Sequence, residues 1–196
     1  MFGKTLIHTC KYFLGLEEAN TQVSDDERKI LGSIAKESKQ VLEIGVFEGH
    51  TTKLLATSNG VVWAVDPFFG GRLGIKYGLL ITQQQIRQAR RINPDVSINL
   101  VKDFSYNLAQ DKSITDFDLI FIDGDHSLEG IQRDYIDWAD RVKKDGYLAL
   151  HDTKVPSYNP NVAKLGSFKY FESDIKFDSR FKIVDQVDSL SILQRI

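Results

Sequence analysis

The sequence predicts an α/β fold: a doubly wound, mostly parallel seven-stranded sheet with helices on both faces and an antiparallel C-terminal strand. Three observations carry this. Short apolar runs alternate with longer amphipathic ones across residues 41–150, the pattern of strands joined by crossover helices. Runs such as Val61-Val62-Trp63-Ala64-Val65 are apolar throughout, as strands covered on both faces are. The last two runs, Phe181–Val187 and Ser189–Leu193, have only Asp188 between them. No crossover fits there, so they are expected to form a hairpin.

Taken in order, Ser24-Asp25-Asp26-Glu27 is a capping box: the serine oxygen can accept the N3 amide while the glutamate reaches back. It opens a helix with Ile30, Leu31, Ile34 and Ala35 on one face. Val41–Val46 is the first strand, ending in a glycine turn, and Thr51–Thr57 a helix stopped by Asn59-Gly60. Val61–Val65 is the second strand, closed by Asp66-Pro67. Phe68–Leu80 mixes four glycines with large apolar residues and is expected to be an ordered loop. Thr82 and Gln85 form a second capping box, with Ile81 and Ile86 at the staple positions, opening a helix that ends before Pro94. Val96–Val101 and Phe117–Ile122 are the third and fourth strands. Ser127 caps a helix along which Ile131, Tyr135, Trp138 and Val142 keep helical spacing. Arg141, Lys143 and Lys144 suit its negative end, and Gly146 closes it. Tyr147–Leu150 is the fifth strand.

A length of 196 residues suits one domain, residues 1–196: an N-terminal helical segment (1–40), a core (41–153) and a C-terminal segment with the hairpin (154–196). The formal net charge of −2 supplies no global positive field, which argues against nucleic acid or an anionic membrane as partner. The single cysteine, Cys10, excludes an intramolecular disulfide framework. Lys4, His8 and Lys11 interrupt the N-terminal apolar residues, so no signal peptide is expected and the expected setting is cytoplasmic. A homo-oligomer is left open.

In an open parallel sheet, ligands bind outside the carboxyl ends of the strands. The polar residues at those ends are Glu43 and Gly45, Asp66, Asp103 and Ser105, Asp123 with His126, and His151 with Asp152. Glu43-Ile44-Gly45-Val46-Phe47-Glu48-Gly49 lets the backbone pass close to a ligand, but it lacks the G-x-G-x-x-G pattern of a pyrophosphate site. Asp66 follows Gly45 by 21 residues, where a carboxylate grips ribose hydroxyls. Together these point to a nucleoside. Asp123, His126, His151 and Asp152 come from adjacent strand ends. They could hold a divalent cation that acidifies a bound hydroxyl, or His126 could take the proton directly.

The strings from Val41 to Gly49, Ala64-Val65-Asp66-Pro67-Phe68, Phe117 to Ser127 and Gly146 to Thr153 resemble the class I S-adenosylmethionine-dependent methyltransferases. More narrowly, Asp123-Gly124-Asp125-His126-Ser127 is similar to the D-G-D-H-S signature found among small-molecule and sugar O-methyltransferases. The resemblance implies a Rossmann-like fold and S-adenosyl-L-methionine as cofactor. It implies that Glu43, Gly45 and Gly49 contact the methionine part, Asp66 holds the ribose, and Asp103 and Ser105 lie beside the adenine. Asp123 is included among the cofactor-binding residues. In metal-dependent relatives, acidic residues at the places of Asp123 and Asp152 hold magnesium, and the neighbour of the second ligand coordinates too. Here that neighbour is His151 or Thr153, and both are poorer Mg2+ ligands than carboxylate. Phe47 also stands where the fuller pattern has a glycine.

The expected activity is O-methylation of a small-molecule acceptor, a sugar or other hydroxyl compound, with or without metal. Asp123 and Asp152 would position the hydroxyl, and His126 or His151 would assist its deprotonation. Residues 68–80 and 154–168 would wall the acceptor pocket, with Tyr77, Tyr158 and Phe168 lining it. Two alternatives are a metal-dependent hydrolase, suggested by the two His/Asp pairs, and a non-catalytic methyltransferase-like binding domain. The hydrolase gives Glu43, Gly45 and Asp66 no task.

Overall fold

The computed structural model describes residues 2–71 and 74–196; Arg72 and Leu73 of the expected loop lie outside the described residues. The seven strands are β1 (Gln40–Ile44), β2 (Val61–Val65), β3 (Ser97–Val101), β4 (Phe117–Ile122), β5 (Val142–Leu150), β6 (Phe181–Val187) and β7 (Leu190–Arg195). They form one sheet in the order β3-β2-β1-β4-β5-β7-β6. The first five run parallel, and β7 lies antiparallel to both β5 and β6. Strand order reverses between β1 and β4, which is where such a sheet opens a crevice.

The helices are α1 (Phe2–Phe13), α2 (Asp25–Glu37), α3 (His50–Leu55), α4 (Tyr77–Ile92), α5 (Ser105–Leu108), α6 (Leu128–Trp138) and α7 (Gly166–Ser173). Because strand side chains alternate between faces, β1 sends Val41 to one cluster and Leu42 to another. Val41, Val62, Leu119 and Ala149 pack with Leu31, Leu55 and Ile86 of α2, α3 and α4. On the opposite face Leu42, Ile120, Leu148 and Leu193 pack with Ile131 and Trp138 of α6 and Phe171 of α7. The structure is a doubly wound α/β fold with helices on both faces, as the alternating pattern predicted. Tyr12 and Ala19 set the N-terminal segment against Ile81 of α4. Among the described residues no helix is long and apolar enough to cross a membrane.

Two element boundaries differ from the sequence reading. The second capping box is not used: α4 starts at Tyr77, and Thr82 and Gln85 are buried in its interior. Tyr77 and Ile81 extend the buried face one turn upstream, and that packing outweighs the local cap. The expected end of α6 is also revised. The helix stops at Trp138, and residues from Val142 onward belong to β5. Arg141 turns inward, donating to the carbonyls of Asp111 and Ile114 at 2.8 Å and to that of Ala109. Of the basic residues read as a helix end, Arg141 precedes the strand and Lys143 and Lys144 lie within it, with Lys143 paired to Asp118.

Gly45 takes φ +91°, and a Cβ there would lie 2.1 Å from the carbonyl oxygen of Asp123. Gly45→Ala is therefore expected to cost about 2–4 kcal/mol through backbone strain and displacement of the β4 end. A lower urea midpoint at unchanged m would measure it.

Candidate active site

The parallel ladder runs one residue past each central strand. Gly45 N donates to Val65 O (3.0 Å), Asp66 N to Val101 O (3.1 Å), Asp123 N to Ile44 O (2.8 Å) and His151 N to Ile122 O (3.1 Å). The polar strand ends therefore stand in one row above the crevice.

Asp66 first organises the glycine turn. Its Oδ2 accepts the amides of Val46 (2.9 Å) and Phe47 (3.0 Å), and its Oδ1 accepts that of Phe68 (2.6 Å). This holds Phe47 and Phe68 at φ +55° and +47°, a conformation that non-glycine residues adopt rarely. A carboxylate has about four acceptor positions, so about one remains on Oδ1 for a ligand hydroxyl.

A cavity of about 750 Å³ lies over the row, lined by Gly45, Val46, Phe47 and Asp66 at one part and by Asp123, Gly124 and His126 at another. Asn20, Thr21 and Gln22 border it from the segment ahead of α2. Phe69, Phe104, Tyr106 and Arg133 also line it. Phe69 and Phe104 meet edge to face at 6.0 Å, Phe104 stacks on Tyr106 at 5.1 Å, and Arg133 lies 4.7 Å over the Tyr106 ring.

At the Asp123 side, carboxylates and imidazoles alternate. His151 Nδ1 lies 2.9 Å from Asp123 Oδ1, and its Nε2 lies 3.4 Å from Glu27 Oε2 and 3.1 Å from Ser189 Oγ. His126 stands between Asp123 (Nε2 to Oδ1, 3.6 Å) and Asp152 (Nδ1 to Oδ2, 3.7 Å). Burial disfavours a charged His151 ring, but Asp123 and Glu27 outweigh it and push the imidazole up to about 10. Burial likewise opposes the Glu27 carboxylate, yet His151, Ser24 and Ser189 bring it down to about 2. His151 is thus engaged through Nε2 by Ser189 and Glu27, while its Nδ1 faces Asp123. The Thr153 hydroxyl is buried against Leu150 O (2.9 Å) and Ser191 Oγ (2.8 Å). Thr153 therefore offers no free hydroxyl to a divalent cation, and imidazole is a poorer Mg2+ ligand than carboxylate. Among the described residues no three His, Cys, Asp or Glu side chains are grouped to hold an ion.

Of the predicted site residues, Gly45, Asp66, Ser105, Asp123 and His126 line the cavity. Glu43 lies beneath it, fully buried and bonded to Thr52; burial, with Asp123 and Asp66 nearby, raises its carboxyl well above the usual range despite the Thr52 hydroxyl. Gly49 begins α3, where a Cβ would touch Thr82 at 3.0 Å. Asp103 faces away, accepting from Phe104 N and Asn107 Nδ2, each at 2.8 Å. His151 is 4% exposed and Asp152 8%, so of the two predicted imidazoles His126 is the one that the cavity reaches, and His50 also lines it. Residues 68–69 and 78–79 wall the cavity, but Tyr77, Tyr158 and Phe168 are not among its lining side chains. Lys164, Leu165 and Gly166 border a separate open cleft beside His126.

Sequence reasoning missed Glu27 and Asp134, and both carried a signal. Glu27 is in step with Leu31 and Ala35 on the buried stripe of α2, and Asp134 with Ile131, Tyr135 and Trp138 on that of α6. A carboxylate on an apolar stripe needs a partner. Asp134 lines the cavity and accepts from Ser105 Oγ. Burial pushes its carboxyl from 3.8 up to about 6, against the Ser105 hydroxyl and with Asp137 and Asp125 adding to the rise. The unfolded chain loses this proton first, so stability falls as pH rises through the interval, and the penalty is complete above it. Asp134→Asn is expected to stabilise the protein by about 1–3 kcal/mol at pH 7–8. The gain should shrink as pH falls from 6 toward 4, measured by urea unfolding across that range.

A family described as a methyltransferase domain matches residues 42–153, more than half of the chain. Among solved structures, the O-methyltransferase from Bacillus cereus in complex with SAH superposes with TM-score 0.62 at 17% identity, covering 99% of this chain and 90% of that one. The O-methyltransferase TomG from Streptomyces achromogenes, involved in tomaymycin synthesis and solved with SAM, gives 0.62 at 14% identity over 98% and 88%. An rRNA methylase from Streptococcus thermophilus gives 0.62 at 16% over 90% and 98%. No curated protein matches by sequence. With the strand order, the glycine turn and the acidic strand ends of that fold all present, the chain belongs to the methyltransferase-domain family and is a class I S-adenosylmethionine-dependent methyltransferase.

Proposed function

We propose that the protein methylates a hydroxyl oxygen of a small molecule, with S-adenosylmethionine as donor and His126 as general base. The observation that carries this reading is a single cavity lined by both the Asp66-held glycine turn and the Asp123–His126 pair. Its volume of about 750 Å³ lies in the range of small-ligand sites. Gly45 and Val46 would lie along the methionine part of the donor, the free position on Asp66 would accept one ribose hydroxyl, and Phe69 and Phe104 would offer apolar surface to the adenine. S-adenosylmethionine supplies the methyl group as an electrophile on a sulfonium.

The chain's own residues supply position and proton transfer. Asp123 would orient the acceptor hydroxyl, whose proton passes to His126 as the oxygen attacks. Asp123 and Asp152, 3.6 and 3.7 Å from its two ring nitrogens, would stabilise the imidazolium that forms. Distances of this length shorten on ligand binding in many enzymes. The carbonyl of His126 accepts the amide of Gly166 at 2.8 Å, pinning the loop to the start of α7.

Two measurements test this. Calorimetry should show S-adenosylhomocysteine binding to the wild type and at least about tenfold weaker binding to Asp66→Asn, which turns a donor toward the amides it should accept; no wild-type binding sinks the reading. Hydroxylated small molecules incubated with methyl-labelled donor should yield a methyl ether by mass spectrometry. His126→Gln should slow its formation by about 10²–10⁴-fold with donor affinity intact.

A further inference from the structure

Asp134 weakens the fold at neutral pH, and the methyl-transfer scheme gives it no task. Its place in the cavity points to one. The donor site follows the strand order, with the glycine turn at the tip of β1, Asp66 at the tip of β2 and Phe104-Ser105 just beyond β3. A nucleoside whose ribose meets Asp66 and whose amino-acid part follows Gly45 and Val46 sends its base toward Ser105. The Ser105 hydroxyl donates to Asp134 Oδ1, which sets this carboxylate of α6 beside the base end of the cavity.

The carboxylate is only half used. Ser105 takes Oδ1, whereas Oδ2 accepts no hydrogen bond among the described residues, although the side chain is 6% exposed and lines the cavity. Gly124 leaves that oxygen uncovered, since a Cβ there would stand 3.3 Å from it. The adjacent Arg133 is turned to the Tyr106 ring, 4.7 Å away. A buried carboxylate oxygen without a donor is costly, and this one opens on the space that a ligand would fill. Asp103, the acid that the sequence places at the same end, is not available. It is exposed, and it accepts from Phe104 N and Asn107 Nδ2.

We propose that Asp134 reads the base of the donor: its Oδ2 accepts from the exocyclic amine of adenine, so that α6 and not the tip of β3 supplies the acid that selects adenine over a 6-oxo purine. This role rests on the donor lying along Gly45, Val46 and Asp66. An ionised carboxylate can only accept. Adenine presents a donor at its 6-position, whereas a 6-oxo purine presents an oxygen there, which the carboxylate repels. A site built on a buried acceptor rejects the ligand that leaves it unpaired. The same logic explains why an aspartate stands where asparagine would give the more stable fold. Asparagine turns a donor as readily as an acceptor toward the ligand and so would not exclude the oxo form.

The test needs no acceptor. S-adenosylhomocysteine and S-inosylhomocysteine, which differ only in the amino or oxo group of the purine and the adjoining ring proton, are titrated separately by calorimetry. The measurement is made well above the value of about 6 to which the Asp134 carboxyl is raised. The wild type should bind the adenosyl compound at least about tenfold more tightly than the inosyl one. Asp134→Asn should cut that ratio by at least about fivefold, because its amide nitrogen can turn to the oxo group. A purely structural role for Asp134 would weaken both compounds alike and leave the ratio where it was. Should Asp134→Asn not fold, Asp134→Ala is read by the same ratio. A wild-type preference below about tenfold, or a smaller fall in the variant, overturns the proposal. Binding of neither compound by the wild type overturns the donor placement and this role with it, a result distinct from binding without discrimination.

Discussion

The site depends on the parallel hydrogen-bond ladder continuing one residue beyond β1, β2, β4 and β5. Those extra bonds set Gly45, Asp66, Asp123 and His151 in register at the crevice. A sheet buried on both faces has little freedom to slip, because a shift of one residue would exchange every core side chain for its neighbour on the other face. The rigidity of the two hydrophobic layers is therefore transmitted to the row of polar tips. A site on rigid strand ends holds its geometry better than one on loops.

Beyond that row, precision comes from carboxylates that hold backbone as well as facing chemistry. Asp66 gathers three amides from two separate turns before it has any ligand. Glu27 closes the first turn of α2 and at the same time fixes His151 against Asp123. Four non-glycine residues around the crevice, Phe47, Phe68, Asp152 and Asp188, have positive φ. Each such conformation costs on the order of 1 kcal/mol and persists only where the surroundings over-determine it. Asp66 restrains the first two, Ser167 Oγ holds the carbonyl of Asp152 at 2.9 Å, and Ser24 Oγ holds the side chain of Asp188. Asp116 and Asp145 also have positive φ, near the starts of β4 and β5 and away from the crevice.

The electrostatics follow the same logic. Glu27, His151, Asp123, His126 and Asp152 alternate acid and imidazole from the buried end of α2 to the cavity wall. Buried charge is tolerable only when paired and hydrogen-bonded, and the alternation provides that pairing for His151. Glu43, by contrast, meets only a threonine hydroxyl and two neighbouring acids, so its carboxyl is held toward the neutral form. Charge is kept where it can act and suppressed beneath it.

The sequence by itself determined the sheet. Runs that are apolar throughout, a one-residue gap before the final run, and serine caps at Ser24 and Ser127 are local signals, and each corresponds to an element found. It also marked the strand tips as the place for chemistry, since polar residues that close apolar runs need no tertiary information to be noticed. Only the tertiary structure decided which of these residues share a cavity. Glu43 and Asp103 look like Asp66 and Asp123 in one dimension, but one is sealed under α3 and the other turned toward Asn107. The starts of α4 and β5 were decided the same way, by packing of Tyr77 and by the inward Arg141. Glu27 reaches His151 across 124 positions of chain for the same physical reason. Local propensity acts over a few residues, whereas burial and charge pairing act between surfaces that meet only after the sheet has closed.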